Sequence, residues 1–126
     1  MPLWVWVALG SAVGGVGRYA MARLLPTVPG GWPLATMSVN VAGSFAIGAL
    51  SVWLASRAAA IGASAEALRL FWMTGVLGGF TTYSAFALET VTLAESGAVL
   101  RAAAYVSLTV LLCIAAAAAG RVLASS

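Results

Sequence analysis

The sequence predicts an all-α membrane protein of four transmembrane helices, with the third broken near the membrane centre, assembled as an antiparallel dual-topology homodimer. Three observations carry this. Of 126 residues, 63% are hydrophobic and only 7% are charged, with a mean hydropathy of +1.05, so too few charges exist to cover a water-soluble domain of this size. A hydrocarbon core about 30 Å thick needs about 20 apolar residues per helical crossing, and the chain offers four such runs: Leu3–Leu25, Leu34–Ser56, Leu68–Ala94 and Val99–Leu123. Finally, basic residues are spread so evenly that they favour neither orientation. The four runs with three short loops use the whole chain, so residues 1–126 read as one integral membrane domain with no internal repeat.

The first run has no basic residue ahead of its apolar stretch, the first being Arg18, which argues for a retained helix over a cleaved secretory signal. Gly10, Gly14 and Gly17 supply a small-residue face for close helix packing. Arg18, in GGVGRYAMARLL, lies one and a half to two turns from the end of the run. It can snorkel to the interface or pair with a carboxylate or an anion.

In the second run Asn40, within SVNVAGSF, sits about 9 Å inside the helix end at 1.5 Å per residue. A carboxamide at that depth requires partners. It serves either as interhelical glue or as a donor to something passing through. Ser44 and Gly48 belong to a packing face.

The third run contains GVLGGFTTYSAFALET, from Gly75 to Thr90. Gly78-Gly79 followed by the β-branched pair Thr81-Thr82 has weak helix propensity, and non-helical backbone at membrane depth survives only inside protein or beside a wet cavity. A broken helix is expected here, with free carbonyls on one side suiting a cation and free N–H groups on the other suiting an anion. The alternative is an unbroken helix in which Gly75 and Gly79 form a close-packing face. Tyr83 and Phe86 are three apart and share one face, with Glu89 a turn later. Core packing is the ordinary meaning of two such rings, but ring edges are positive and attract a small anion weakly.

In the fourth run, Tyr105 and Thr109 place hydroxyls at i and i+4 as a possible polar stripe. Cys113 reads as a small buried hydrophobe.

Composition excludes several chemistries. Histidine is absent and cysteine occurs once, so imidazole or thiolate metal clusters and Ser/His/Asp or Cys/His nucleophile systems cannot be assembled, and an enzyme is not expected. The net charge of +3 and pI near 9.8 come from six scattered arginines, whereas a nucleic-acid footprint requires clustering. The charges are topology information instead. Arg57, Arg69 and Arg121 belong to the terminal face and Arg18, Arg23 and Arg101 to the other, three against three. A chain without bias can insert both ways and pair as an antiparallel dimer, which has the symmetry that inverted repeats give single-chain transporters.

The elements GGVGRY (Gly14–Tyr19), VNVAGS (Val39–Ser44) and GVLGGFTTYSAF (Gly75–Phe86), in this order on a four-run chain, resemble the Fluc/CrcB family of fluoride ion channels. The third element, with its double Gly, double Thr and two aromatics three apart, is the specific one. Tyr83 stands where the family usually has Phe. The resemblance implies fluoride-selective passive export from the cytoplasm through two pores in an antiparallel homodimer of the bacterial inner membrane. It assigns Asn40 as a pore donor and Tyr83 and Phe86 as the ring pair. Tyr105 and Thr109, with Ser84 or Ala85 nearby, fall near the family's polar track. Thr82, Glu89 and Arg18 complete the expected fluoride pathway, and carbonyls of Gly78 and Thr81 would hold a structural sodium ion at the dimer centre. The expected partners are a second copy, fluoride and membrane lipid, with no nucleic acid. A small multidrug-type proton-coupled exporter ranks lower, because it needs a titratable carboxylate within a span and only Glu89 qualifies. A non-transporting membrane assembly subunit is the third class.

Overall fold

The computed structural model describes residues 1–126 and is built of helices alone. Helix α1 spans Leu3–Leu24 and α2 spans Leu34–Ile61. A 3₁₀ turn, Gly62–Ser64, leads into α3 (Ala65–Arg69), a π-helical stretch Leu70–Leu77 and the short α4 (Gly78–Phe80). After two extended residues come α5 (Tyr83–Glu95) and α6 (Val99–Ala124).

Each end has a local cause. Pro26 pushes Leu25 out of the helical region, to φ −121° and ψ 67°, and ends α1. Helix α2 ends where Gly62 adopts φ +64°, a conformation other residues disfavour. It runs past the expected apolar limit at Ser56, because Arg57 and the alanines after it are good helix formers and hydropathy does not stop a helix. The same reasoning explains why helix resumes at Ala65, ahead of the apolar run beginning at Leu68. At the end of α5, the Ala98 N–H donates to the Leu93 carbonyl at 3.0 Å around Gly97 at φ +85°, a Schellman closure.

Two close helix contacts organise the bundle. Helix α1 packs on the π-helical stretch and α4 through glycine: a Cβ added at Gly75 would lie 2.8 Å from the Gly10 Cα, and one at Gly79 would lie 2.6 Å from the Ser11 carbonyl oxygen. Helices α2 and α6 run parallel and touch at Gly48 against Ala117 and at Gly120 against Phe45. In both contacts the missing side chain is what lets the backbones meet. At the far end, the Arg101 guanidinium donates to the Gly30 carbonyl, tying the α1–α2 link to the start of α6.

Only 18 of 126 residues are buried, and large apolar side chains such as Leu100, Leu111, Ile114 and Val16 are mostly exposed. Apolar surface on this scale is stable only against lipid or another protein. The inside is correspondingly small: Phe86, Leu93, Ala102 and Tyr105 form one cluster, Tyr105 being fully enclosed.

Candidate functional site: an interrupted helix held open by an asparagine

The interruption lies at Thr81 (φ −84°, ψ 159°) and Thr82 (φ −152°, ψ 113°), both extended. The break expected over Gly78-Gly79-Phe80-Thr81-Thr82 is thus confined to the last two residues of that segment. Gly78, Gly79 and Phe80 are helical, and Gly75 and Gly79 form the close-packing face against α1. Both sequence readings of the motif therefore hold in part: the glycines are a packing device, and the break comes after them.

Asn40 on α2 keeps the break open. Its Oδ1 accepts the Thr82 N–H at 2.8 Å and its Nδ2 donates to the Thr82 carbonyl at 3.0 Å. The amide orientation is unambiguous, because one end must meet a donor and the other an acceptor. Glue and donor are thus not exclusive for Asn40: the carbonyl and one N–H are used on Thr82, and one N–H remains. Thr82 then caps α5, its Oγ1 accepting the Ala85 N–H at 3.2 Å.

These two diversions release two carbonyls. In a continuous α-helix the Thr82 N–H would bond to the Gly78 carbonyl and the Ala85 N–H to the Thr81 carbonyl. Here those N–H groups go to Asn40 and to the Thr82 hydroxyl instead. The Tyr83 and Ser84 N–H groups, at the start of α5, likewise leave the Gly79 and Phe80 carbonyls unbonded. The two residues expected to face a cation are thus among four with freed acceptors, and uncharged hard oxygens are the donor type suited to an alkali cation. Thr81 turns its own hydroxyl back on the Leu77 carbonyl at 2.8 Å.

A cavity of about 430 Å³ opens beside the break, and Asn40, Gly78, Thr81, Thr82, Tyr83, Phe86 and Thr109 all line it. Thr109 is 4% exposed and its hydroxyl has no hydrogen-bond partner, an expensive state for a buried polar group. Tyr83 and Phe86 rings lie 5.6 Å apart at 52°, and Phe86 continues to Tyr105 at 5.3 Å. Phe86 is buried, whereas Tyr83 is 80% exposed. Ser84 is exposed and shares a 3.3 Å hydroxyl contact with Thr82.

Behind Phe86 the polar groups close on Glu89. Its Oε1 accepts from the Thr36 hydroxyl and its Oε2 from the Tyr105 hydroxyl, each at 2.7 Å, so α2, α5 and α6 meet at one carboxylate. A second cavity, about 230 Å³, is lined by Arg18, Thr36, Thr82 and Glu89. Half-buried Arg18 faces this cavity without an ion pair to Glu89 within 4.0 Å. The expected pathway residues thus fall into two adjoining groups sharing Thr82, with Tyr105 reaching them through Phe86 and Glu89.

The sequence reading did not place three of the lining residues in the site. Thr36 and Ser44 are one turn either side of Asn40, so the stripe was available from the helical repeat. Cys113, one turn beyond Thr109 and expected as a small buried hydrophobe, is half-buried and lines the main cavity.

The family described as "CrcB-like protein, Camphor Resistance (CrcB)" matches residues 5–121. A protein of Hyphomonas neptunium named "Fluoride-specific ion channel FluC" is 52% identical over 115 residues, covering 87% of this chain and 85% of its own. Proteins of the same name from Paracoccus denitrificans and Deinococcus radiodurans are each 46% identical, over 114 and 124 residues, covering 90% and 97% of this chain and 87% and 94% of theirs. With the match running over nearly its whole length, the chain belongs to the CrcB family.

Proposed function

We propose that this protein is a fluoride-selective channel that passively exports cytoplasmic fluoride across the bacterial inner membrane. Helices α1, α2, the interrupted stretch and α6 are four crossings. Two copies in opposite orientation enclose two pores. The observation that carries the reading is the cavity at the break, where uncharged donors converge: the spare Asn40 N–H, the unpartnered Thr109 hydroxyl and the Tyr83 and Phe86 rings. Fluoride is small and strongly hydrated, so a pore must replace its water with several such groups, and neutral donors let it leave again. The names of the relatives point to the same ion.

Gly78 and Thr81 carbonyls from the two copies would hold a structural sodium ion. Bound there, it supplies one positive charge beside the anion path and offsets the freed carbonyl dipoles. The protein's own part is to keep those carbonyls out of the helical ladder, which Asn40 and the Thr82 hydroxyl do.

Glu89 accepts from two hydroxyls and lines the smaller cavity with Arg18, so the main cavity offers a proton-coupled exporter no carboxylate. The test is ion efflux from liposomes holding purified protein. Fluoride flux without proton countertransport and with little chloride flux is expected, and replacing sodium by a bulky organic cation should weaken it. Proton-coupled flux would favour the exporter, and absence of any flux would leave a non-transporting assembly subunit.

A further inference from the structure

The terminal-face arginines Arg57, Arg69 and Arg121 do not occupy equivalent places. Arg121 Nη1 donates to the Ser51 hydroxyl at 3.0 Å, while that hydroxyl donates to the Gly48 carbonyl at 2.7 Å. Ser51 is therefore oriented by its own helix and holds the guanidinium in turn. It lies 7 and 11 residues beyond Ser44 and Asn40, so the three polar side chains fall on one face of α2. Ser51 also lines a cavity of about 410 Å³ at the terminal end, with Glu66, Arg69 and Met73. Met73 lines the main cavity too, so the two cavities adjoin. No ion pair within 4.0 Å joins Glu66 to either arginine, and the remaining Arg121 N–H groups have no partner in the chain. Arg69 lines this cavity with Glu66, and Arg121 reaches it through its bond to Ser51, so the two arginines exceed the one carboxylate by one positive charge.

We infer that Arg121, held by Ser51, is the anion-gathering group at the terminal-face mouth of the pathway, a binding station upstream of the uncharged donors around Asn40. The assignment rests on the anion-channel reading. A fixed charge inside the narrow path would trap fluoride; at an open mouth it raises the local anion concentration and is screened by water. In an antiparallel pair this mouth opens on each side of the membrane, so the same residue serves entry in one copy and exit in the other.

The test is fluoride flux through purified protein in liposomes, measured against fluoride concentration at low and high ionic strength. Arg121→Gln should raise the concentration for half-maximal flux about threefold at low salt, the Boltzmann factor for a unit charge about 7 Å away in water, and the shift should collapse at high salt. Arg121→Lys should keep most of the wild-type value. Ser51→Ala, which changes no charge, should shift it in the same direction by less. Arg57→Gln is the control: it removes one charge from the same face, but Arg57 stacks at 5.2 Å on the ring of Trp53, which lines a different, wholly apolar groove, and Arg57 lines neither the terminal cavity nor the main one. Any orientation bias from losing a charge affects both Gln variants alike. An unshifted half-maximal concentration in Arg121→Gln, a shift that salt does not remove, or an equal shift in Arg57→Gln would overturn the inference. Absence of fluoride flux from the unaltered protein would instead refute the channel reading on which it depends.

Discussion

Asn40→Ala removes the clasp on Thr82 that holds the helix interrupted. The substitution deletes the 2.8 Å and 3.0 Å bonds and leaves the Thr82 N–H and carbonyl without partners. An unsatisfied buried group costs about 1–3 kcal/mol, so the exposed pair is worth about 2–6 kcal/mol to whatever can satisfy it. The Gly78 carbonyl is within one turn and is the acceptor an unbroken helix would supply. The chain should therefore close the break. A preference of about 2–4 kcal/mol for the closed helix leaves about 3% to 0.1% of chains in the interrupted form. Fluoride efflux from liposomes should fall at least tenfold, with secondary structure and detergent-resistant assembly largely kept. Hydrogen exchange supplies the structural check, since the Thr82 amide should become as protected as its helical neighbours. Asn40→Asp retains an acceptor for the Thr82 N–H but loses the donor to its carbonyl, so its break should survive better than that of Asn40→Ala while its negative charge repels the anion. Wild-type flux together with wild-type exchange at Thr82 in Asn40→Ala would refute the reasoning.

Thr109→Val replaces an unpartnered buried hydroxyl by a methyl group of similar size, so stability should hold or rise by about 1 kcal/mol, read by thermal unfolding, while efflux drops severalfold; Thr109→Ser should restore efflux. The adjacent glycines should behave oppositely. A Cβ at Gly79 would meet the Ser11 carbonyl at 2.6 Å and the Gly15 nitrogen at 3.1 Å, costing about 1–3 kcal/mol as α1 is pushed away, whereas a Cβ at Gly78 has nothing nearer than the Met73 carbonyl at 4.0 Å. Gly79→Ala should lower the unfolding temperature of the chain, and Gly78→Ala should act only on association, measured by dimerisation in bilayers. Two or three lysines added to one terminus should drive every copy into one orientation and abolish efflux, with recovery on co-expression of an oppositely biased copy; full activity from the biased form alone would exclude the antiparallel pair.

The reach of each physical signal sets how much of the fold and site is legible in the sequence. Hydropathy located the apolar runs but misplaced helix ends, because Arg57 and Glu66 end an apolar stretch without ending a helix. The weak propensity of the Gly-Gly-Phe-Thr-Thr segment located an interruption but not its register. Which residue leaves the helix is decided by Asn40, 42 positions earlier in the chain, and propensity is a local quantity. The π-helical widening of Leu70–Leu77 has no signature in residue type that could be read locally, and it sits where the stretch passes α1 at Gly10 and Gly14. Glu89 was placed on the face of Tyr83 and Phe86 by spacing, but its partners Thr36 and Tyr105 come from two other helices.

On the proposed reading, the order of the motif along the chain is what would let one short segment serve two ions of opposite sign. Carbonyls are exposed where a helix stops and hydroxyls or N–H groups where one starts, so an interruption separates acceptors from donors by sequence. The released carbonyls lie from Gly78 to Thr81, and the Thr82 hydroxyl, Tyr83 and Phe86 come next along the chain. Asn40 sits between the two sets and faces both, because a carboxamide is the smallest side chain that can accept from an N–H and donate to the carbonyl of the same residue and still keep one donor free. A carboxylate in its place would bring a negative charge to the anion path, and a serine could not span both backbone groups. The same geometry argues for a second copy. Tyr83 is 80% exposed, and Gly78 has open space where a Cβ would point. One chain therefore presents freed carbonyls along an open edge and a ring pair whose outer member, Tyr83, has nothing packed on its far side. An antiparallel copy placed against that edge would oppose carbonyl to carbonyl across the two-fold axis and ring to ring on either side of it, completing one cation site and two anion paths with the same residues.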